Sequence, residues 1–69
     1  RHEAAADAFL KVVELDPDYA PSRFNLGLVY AALGRNAQAA GQFRRYLALA
    51  PNANDTAMVR QWIEQLRQD

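Results

Sequence analysis

The fold is decided by residues 20–53, which read APSRFNLGLVYAALGRNAQAAGQFRRYLALAPNA. Part of this stretch nearly repeats residues that lie thirty-four positions earlier. The matching pairs are Arg1 with Arg35, Ala5 with Ala39, Phe9 with Phe43, Leu15 with Leu49 and Pro17 with Pro51. A period of that length is typical of a helical repeat, in which a pair of short antiparallel helices shares a core with the next pair by stacking on it.

Helix-breaking residues divide the chain into segments that predict four helices. None of these segments alternates apolar and polar residues over a useful length, which disfavours strands. The predicted helices cover, approximately, residues 2–15, 20–33, 37–50 and 55–67. Pro17 and Pro51 cannot continue a helical hydrogen-bond ladder, and Gly34 suits the left-handed residue that follows a helix. Asp18 and Asn36 are expected to cap the second and third helices. The sequence therefore predicts an all-α chain.

Apolar residues at helical spacing predict which face of the first two helices is buried. The first helix is expected to bury the stripe Ala5, Phe9, Val12 and Val13. The second helix has two apolar faces, which are Leu26, Tyr30 and Leu33 on one side and Phe24, Leu28 and Ala31 on the other. A helix with two apolar faces has two neighbours, or a neighbour and a ligand.

The last two helices each have one apolar side. The third is expected to bury Ala39, Phe43, Tyr46, Leu47 and Ala50. The fourth carries Met58, Val59, Trp62, Ile63 and Leu66 on one side and Arg60, Gln61, Glu64, Gln65 and Gln68 on the other. The polar side suits a terminal helix that faces water. An exposed Trp62 would be a candidate hot spot for binding, but its stripe favours a position in the core.

Residues 20–53 resemble a tetratricopeptide repeat. The residues that carry the resemblance, at that family's spacings, are Leu26, Gly27, Tyr30, Gly34, Ala39, Phe43 and Pro51. Each has a structural role: the small residues let two helices approach closely, the large apolar residues fill the space beside them, and Gly34 and Pro51 turn and stop the chain. The resemblance implies a fragment of an α-solenoid, in which antiparallel helix pairs form a right-handed stack.

The resemblance also divides the single domain, residues 1–69, into parts. Residues 1–19 match the second helix of a partial repeat, residues 20–53 form one full repeat, and residues 54–69 resemble the capping helix of such arrays. Because the first helix lacks the partner that precedes it in a whole repeat, we expect Arg1 to lie inside a longer protein. Two positions depart from the family pattern. Arg23 stands where a large aromatic residue is usual, with Phe24 one place later, and Tyr46 replaces a small residue.

In this family the first helix of each repeat lines a concave groove that receives an extended peptide or a helix of another protein. Carried over to this chain, the groove residues are Phe24, Asn25, Leu28, Ala31, Ala32 and Met58. Asn25 matches an asparagine that, in peptide-binding members, hydrogen-bonds the ligand backbone or its terminal carboxylate. The alternative is that Asn25 bonds a neighbouring helix.

The resemblance implies an apolar groove rather than a carboxylate clamp. Family members that clamp a terminal carboxylate need cations at positions where this chain has Pro21, Phe24 and Leu28. The ligand is therefore expected to contribute hydrophobic side chains, with Phe24, Leu28 and Met58 as contacts. The competing interpretation is that helices upstream of this chain cover these side chains.

We therefore predict a protein-interaction scaffold that binds a peptide or a helix of a partner protein. Two alternatives stay open. One is a structural module that forms homo-oligomers through apolar surface exposed by Phe9, Leu10 or Val12 of the first helix. The other is an ancillary segment of a larger multidomain protein.

Composition argues against other classes of function. Eight basic and eight acidic residues cancel, which disfavours nucleic acid as a partner, and no apolar run is long enough to enter and span a bilayer. A soluble protein is expected, with the cytoplasm slightly favoured. With no cysteine, one serine and one histidine, the chain provides no set of nucleophile, base and orienting group. We predict no enzyme activity, no cofactor and no metal site.

Smaller features have competing interpretations. The run Arg44-Arg45-Tyr46 hints at phosphate or nucleic-acid contact, but two arginines are typical of the wet face of a helix. Asp16 and Asp18 flank a proline, and turn and cap roles explain them better than metal binding. Abundant alanine and a single lysine indicate a GC-rich bacterial genome as the source.

Overall fold

A computed structural model of the protein describes residues 1–67, which form four α-helices and no strand. The helices are α1 (His2–Leu15), α2 (Ala20–Ala32), α3 (Asn36–Leu49) and α4 (Thr56–Arg67). The prediction of an all-α chain with four helices is confirmed, and each predicted boundary lies within one residue of the observed one. The predicted place of Gln68 on the polar side of α4 lies outside the described residues.

The two predicted caps are wrong, because the turns before α2 and α3 end one residue away from where we expected. Tyr19 is the N-cap of α2, and its own N–H donates to the Asp16 carbonyl at 3.1 Å, so Asp18 is used inside the turn. Gly34 has a φ of 77°, and this left-handed residue lets the N–H of Arg35 donate to the Tyr30 carbonyl at 2.9 Å. Arg35 is therefore the N-cap of α3, and Asn36 is its first helical residue.

Each helix packs mainly on its neighbours in sequence, so that α2 lies between α1 and α3, and α3 lies between α2 and α4. The core is centred on the α2–α3 contact, where Leu26 and Phe43 are both fully buried. Gly27 lies directly beneath the Phe43 ring, and a Cβ atom added there would collide with three ring carbons. The absence of a side chain at Gly27 is therefore what lets α2 and α3 approach closely.

The predicted buried stripe of α1 is wrong at one edge. Ala6 is 3 % exposed and Leu10 and Val13 pack against the core, whereas Val12, which we expected to be buried, is 37 % exposed. The reason is that α1 packs mainly on α2, so only the side of α1 that faces α2 is covered. The last turn of α1 also leaves Leu15 in solvent, with 88 % of its surface exposed.

The apolar side of α4 is likewise not buried along its whole length. Val59 is fully buried, and Trp62, Ile63 and Leu66 are half-buried against the core. Met58, which we placed on the apolar side of α4 and expected in the groove, is exposed. Within residues 1–67, no helix combines the length and the apolar character that crossing a membrane requires.

Candidate functional site

An open apolar cleft of about 280 Å³ lies between α2 and α4. Its lining residues are Leu28, Ala31, Phe43, Trp62, Gln65 and Leu66. Leu28 and Ala31 form the α2 side, because residues three or four apart share one face of a helix, and the same spacing brings Trp62 together with Gln65 and Leu66 on α4. Phe43 of α3 is fully buried and forms the floor.

A cluster of four aromatic rings joins the floor of the cleft to its walls. The centroid of the Phe24 ring lies 5.2 Å from that of Tyr46, 5.8 Å from that of Trp62 and 6.2 Å from that of Phe43. The Phe43 and Trp62 centroids are 5.5 Å apart. These are tilted or edge-to-face contacts, which aromatic pairs prefer. Aromatic side chains also have few rotatable bonds. Two lining residues of the cleft, Phe43 and Trp62, are therefore held in place by this ring cluster.

The lining of the cleft is chemically uniform. Gln65 supplies the one polar side chain among the lining residues, and none of them is ionised. An apolar lining favours uncharged hydrophobic groups and offers a carboxylate no cation. Its volume lies just below the roughly 300–1,000 Å³ typical of small-molecule pockets, so the cleft suits anchoring side chains of a larger ligand.

The structure brings together two of the six residues that we carried over to the groove. Leu28, which is 41 % exposed, and Ala31 line the cleft. Phe24 is half-buried and lies in the ring cluster. Ala32 and Met58 are exposed but do not line the cleft.

Asn25 is half-buried on α2, and its side-chain amide has no hydrogen-bond partner within residues 1–67. The structure shows no hydrogen bond from Asn25 to a neighbouring helix within residues 1–67. An amide has both donors and an acceptor, which suits it to hydrogen-bonding a peptide backbone.

Four lining residues of the cleft were not predicted as groove residues from the sequence: Phe43 on α3, which was expected in the core, and Trp62, Gln65 and Leu66 on α4. Trp62 and Leu66 were assigned to the core, and Gln65 was assigned to the wet side of the helix. The repeat period contained the missing signal: thirty-four residues after Leu28, Ala31 and Ala32 come Trp62, Gln65 and Leu66. Trp62 has both roles, since it packs against Phe24 and Phe43 and also lines the cleft.

Tyr46 makes a polar contact at the start of α4. Its phenol O–H donates to both carboxylate oxygens of Asp55, with O···O distances of 2.8 and 3.1 Å. The hydrogen bond to the Asp55 carboxylate, together with burial and the negative charge of that carboxylate, raises the pKa of Tyr46 above 10.0. Tyr46 therefore stays neutral through the physiological range and donates this bond.

Arg23, which stands where the family usually has a large aromatic residue, makes polar contacts instead. Its Nη2 donates to the Pro17 carbonyl oxygen at 3.2 Å, and its Nη1 donates to the Gln42 side-chain oxygen at 3.2 Å. Arg23 thus connects the α1–α2 turn with α3, and Phe24, one place later, supplies the aromatic ring that joins the cluster beside the cleft. The two departures from the family pattern therefore meet in the structure, because the ring of Phe24 is in contact with the ring of Tyr46.

Basic and acidic side chains are concentrated in different parts of the chain, although their charges sum to zero. Residues 1–19 carry two basic and five acidic side chains, a net charge of −3, whereas residues 20–53 carry four arginines and no acidic residue, a net charge of +4. An exposed ion pair of 3.8 Å between Glu3 and Arg35 links the two regions. Arg44 and Arg45 are exposed.

Metal-binding clusters are absent from residues 1–67, where no three His, Asp or Glu side chains come together. Asp16 is the C-cap of α1, and its N–H donates to the Val12 carbonyl. Asp16 therefore lies at the point where α1 ends and the turn begins.

Comparison with known families identifies the type of helical repeat. A family model described as "TPR repeat" matches residues 1–34, and one described as "Tetratricopeptide repeat" matches residues 20–53. The chain is an α-helical repeat protein, and it belongs to the tetratricopeptide repeat family. No curated protein and no solved structure gives a significant match. Repeats of this family generally mediate protein–protein interactions and are typically non-enzymatic scaffolds.

Proposed function

We propose that this domain binds an apolar segment of a partner protein, a peptide or a helix, in the cleft between α2 and α4. The observation that carries the proposal is the cleft itself, an open space of about 280 Å³ with an uncharged lining, in which Phe43 and Trp62 belong to the ring cluster. Burying one or two large apolar side chains of a partner against Leu28 and Trp62 would be the main source of affinity. The domain acts as a scaffold and performs no chemistry.

Asn25 would add backbone recognition to this apolar contact. Its amide has no partner among the described residues, and it lies on the same helix as Leu28, about one turn away. A hydrogen bond to the ligand backbone would orient the bound segment without selecting its side chains. In this proposal Leu28 and Trp62 supply most of the binding energy.

The test uses the single tryptophan of the chain as the reporter. A display library of short random peptides is selected on the wild-type domain, and the enriched peptides are titrated while the emission of Trp62 is recorded. Because Trp62 lines the cleft, a ligand that occupies the cleft is expected to change its emission in a saturable way. Selection of hydrophobic peptides that leave Trp62 emission unchanged would count against the proposal.

Two variants and a matched control locate the binding surface. Leu28→Arg places a charge in the cleft and is expected to weaken binding roughly tenfold or more, while Asn25→Ala is expected to weaken it about fivefold. Val12→Arg is the control, because Val12 has nearly the same exposure as Leu28 but lies on α1, away from the cleft. Equal losses in Leu28→Arg and Val12→Arg would place the peptide elsewhere.

Self-association is the second candidate function, and exposed apolar residues on α1 favour it. Leu15 is largely exposed and Val12 is partly exposed, whereas Phe9 and Leu10 are half-buried against the core. Leu15→Glu is therefore a cleaner probe than a substitution at Leu10, which would also disturb packing. A concentration-dependent mass in light scattering that Leu15→Glu abolishes would support self-association, and a constant monomer mass would reject it.

A further inference from the structure

Tyr46 and Asp55 join α3 to the residue that precedes α4. The phenol of Tyr46 donates to both oxygens of the Asp55 carboxylate. The carbonyl of Asp55 also accepts the first backbone hydrogen bond of α4, from the N–H of Val59 at 3.0 Å. A hydrogen bond to a carboxylate is stronger than one between neutral groups. The pair therefore holds the beginning of α4 against α3.

The position of α4 on α3 determines the shape of the cleft. One wall of the cleft belongs to α2 and the other to α4, and both helices pack extensively on α3. Direct contact between the walls includes the Phe24 and Trp62 rings, with centroids 5.8 Å apart. Any tilt or shift of α4 on α3 therefore changes the distance between Leu28 and Trp62.

Tyr46 is in contact with both sides of this arrangement. Its ring packs against Phe24 of α2, and its hydroxyl reaches Asp55 at the start of α4. Tyr46 is buried, so its ring is held in place by packing while its hydroxyl makes the directional contact. A small residue at this position could make neither contact.

We propose that Tyr46 and Asp55 are positioning residues for the cleft: their hydrogen bond holds the first turn of α4 on α3 and so sets the separation of the Leu28 and Trp62 walls. The inference deepens the proposed function and takes its functional meaning from it. The positioning itself is measurable in the free protein, without any ligand.

The first test is Tyr46→Phe, which removes the hydroxyl and keeps the ring. Hydrogen exchange of the amides in the first turns of α4 is expected to accelerate about tenfold or more relative to those of α2, since a hydrogen bond to a charged group is lost. Acrylamide is expected to quench Trp62 more strongly in the variant. Tyr30→Phe is the matched control, because Tyr30 is also buried and its hydroxyl has no hydrogen-bond partner within residues 1–67.

Variants of Asp55 separate positioning from general loss of stability. Asp55→Ala is expected to reproduce the α4-specific exchange of Tyr46→Phe, and the double variant is expected to add little, because both changes remove one contact. Asp55→Asn keeps an oxygen that can accept the phenol and is expected to restore part of the protection. The proposal is overturned if Tyr46→Phe accelerates exchange equally in all four helices, or if Tyr30→Phe has the same effect on α4.

Binding of selected peptides provides a separate readout. If such peptides bind the wild type, Tyr46→Phe is expected to weaken them severalfold although Tyr46 does not line the cleft. If no peptide binds, the proposed function fails, while the exchange and quenching measurements still decide whether Tyr46 and Asp55 position α4.

Discussion

α1 and α3 carry the same apolar pattern thirty-four residues apart, but only α3 buries it. The three positions in α3 are Ala39, Phe43 and Tyr46, all of which are buried. Their counterparts in α1 are Ala5 and Phe9, which are half-buried, and Val12, which is exposed. The difference arises because α3 lies between two helices, whereas α1 packs mainly on one. In a stacked repeat, the number of neighbouring helices decides whether an apolar position becomes core.

α2 and α4 show a second difference between equivalent positions. Thirty-four residues after Gly27, on which the Phe43 ring packs, α4 has Gln61, which is exposed. Arg60 and Glu64 are the counterparts of Leu26 and Tyr30 and are also exposed. A third helix pair cannot be built on this face of α4 by the contact that joins α2 to α3, because the glycine that permits close approach is missing.

The comparison of α1 with α3 is tested most strongly by truncating the equivalent phenylalanines. Phe43→Ala is expected to cost about 3–5 kcal/mol, a large part of the roughly 3–10 kcal/mol expected for a chain of this length, so the variant is expected to be largely unfolded. Phe9→Ala is expected to cost about 1–2 kcal/mol, since part of that ring already lies in water. Urea unfolding followed by circular dichroism measures both.

If Phe43→Ala does not fold, the milder variants Phe43→Leu and Phe9→Leu still allow the loss of unfolding free energy to be measured at both positions. Equal losses of unfolding free energy at the two positions would show that α1 and α3 are equivalent in solution, and the comparison would then be wrong.

Two glycines are expected to respond to alanine in opposite directions. Gly27→Ala drives a methyl group into the Phe43 ring and is expected to destabilise the domain by about 1–3 kcal/mol. Gly41→Ala, in the middle of α3, meets no atom within 4 Å and is expected to stabilise by about 0.5–1 kcal/mol, because alanine is the better helix former. Thermal unfolding of both variants checks the sign. A stabilising Gly27→Ala would mean that α2 and α3 lie further apart than the structure shows.

The smallest expected effect is a loss of stability at alkaline pH. It comes from Tyr46 of α3, whose counterpart in α1 is Val12. The pKa of Tyr46 is raised above 10.0 in the folded protein, first by the hydrogen bond to Asp55. Its contribution to stability is therefore complete below pH 10 and is lost as the pH rises through the raised pKa. The free energy of unfolding is expected to fall more steeply above pH 10 in the wild type than in Tyr46→Phe. Parallel profiles for the two proteins would show that Asp55 does not hold the phenol in its neutral form.

The fold was predictable because local backbone chemistry determines where these helices begin and end. Proline at 17 and 51 and glycine at 34 interrupt the helical pattern, and all helix boundaries followed from such breaks to within one residue. The caps were not predictable, because the exact closure of a turn decides whether Asp18 or Tyr19 precedes the helix.

The cleft was only partly predictable. Leu28 and Ala31 were identified from the family resemblance, but Trp62 looked like a core residue because its stripe is indistinguishable from one that is fully covered. The Tyr46–Asp55 bond connects residues nine positions apart across a turn, and no periodic pattern indicates such a contact. Both depend on how α4 lies on α3, which is a property of the assembled helices.

The negative charge of residues 1–19 is separated in space from the positive charge of residues 20–53, although the net charge of the chain is zero. Because α1 at one end of the helix row is acidic and α2, α3 and the turn between them carry four arginines, the domain is expected to have an electric dipole moment. A charged partner is therefore expected to be turned into a preferred orientation before it makes contact, and the rate of encounter is expected to depend on ionic strength even though the chain is neutral overall.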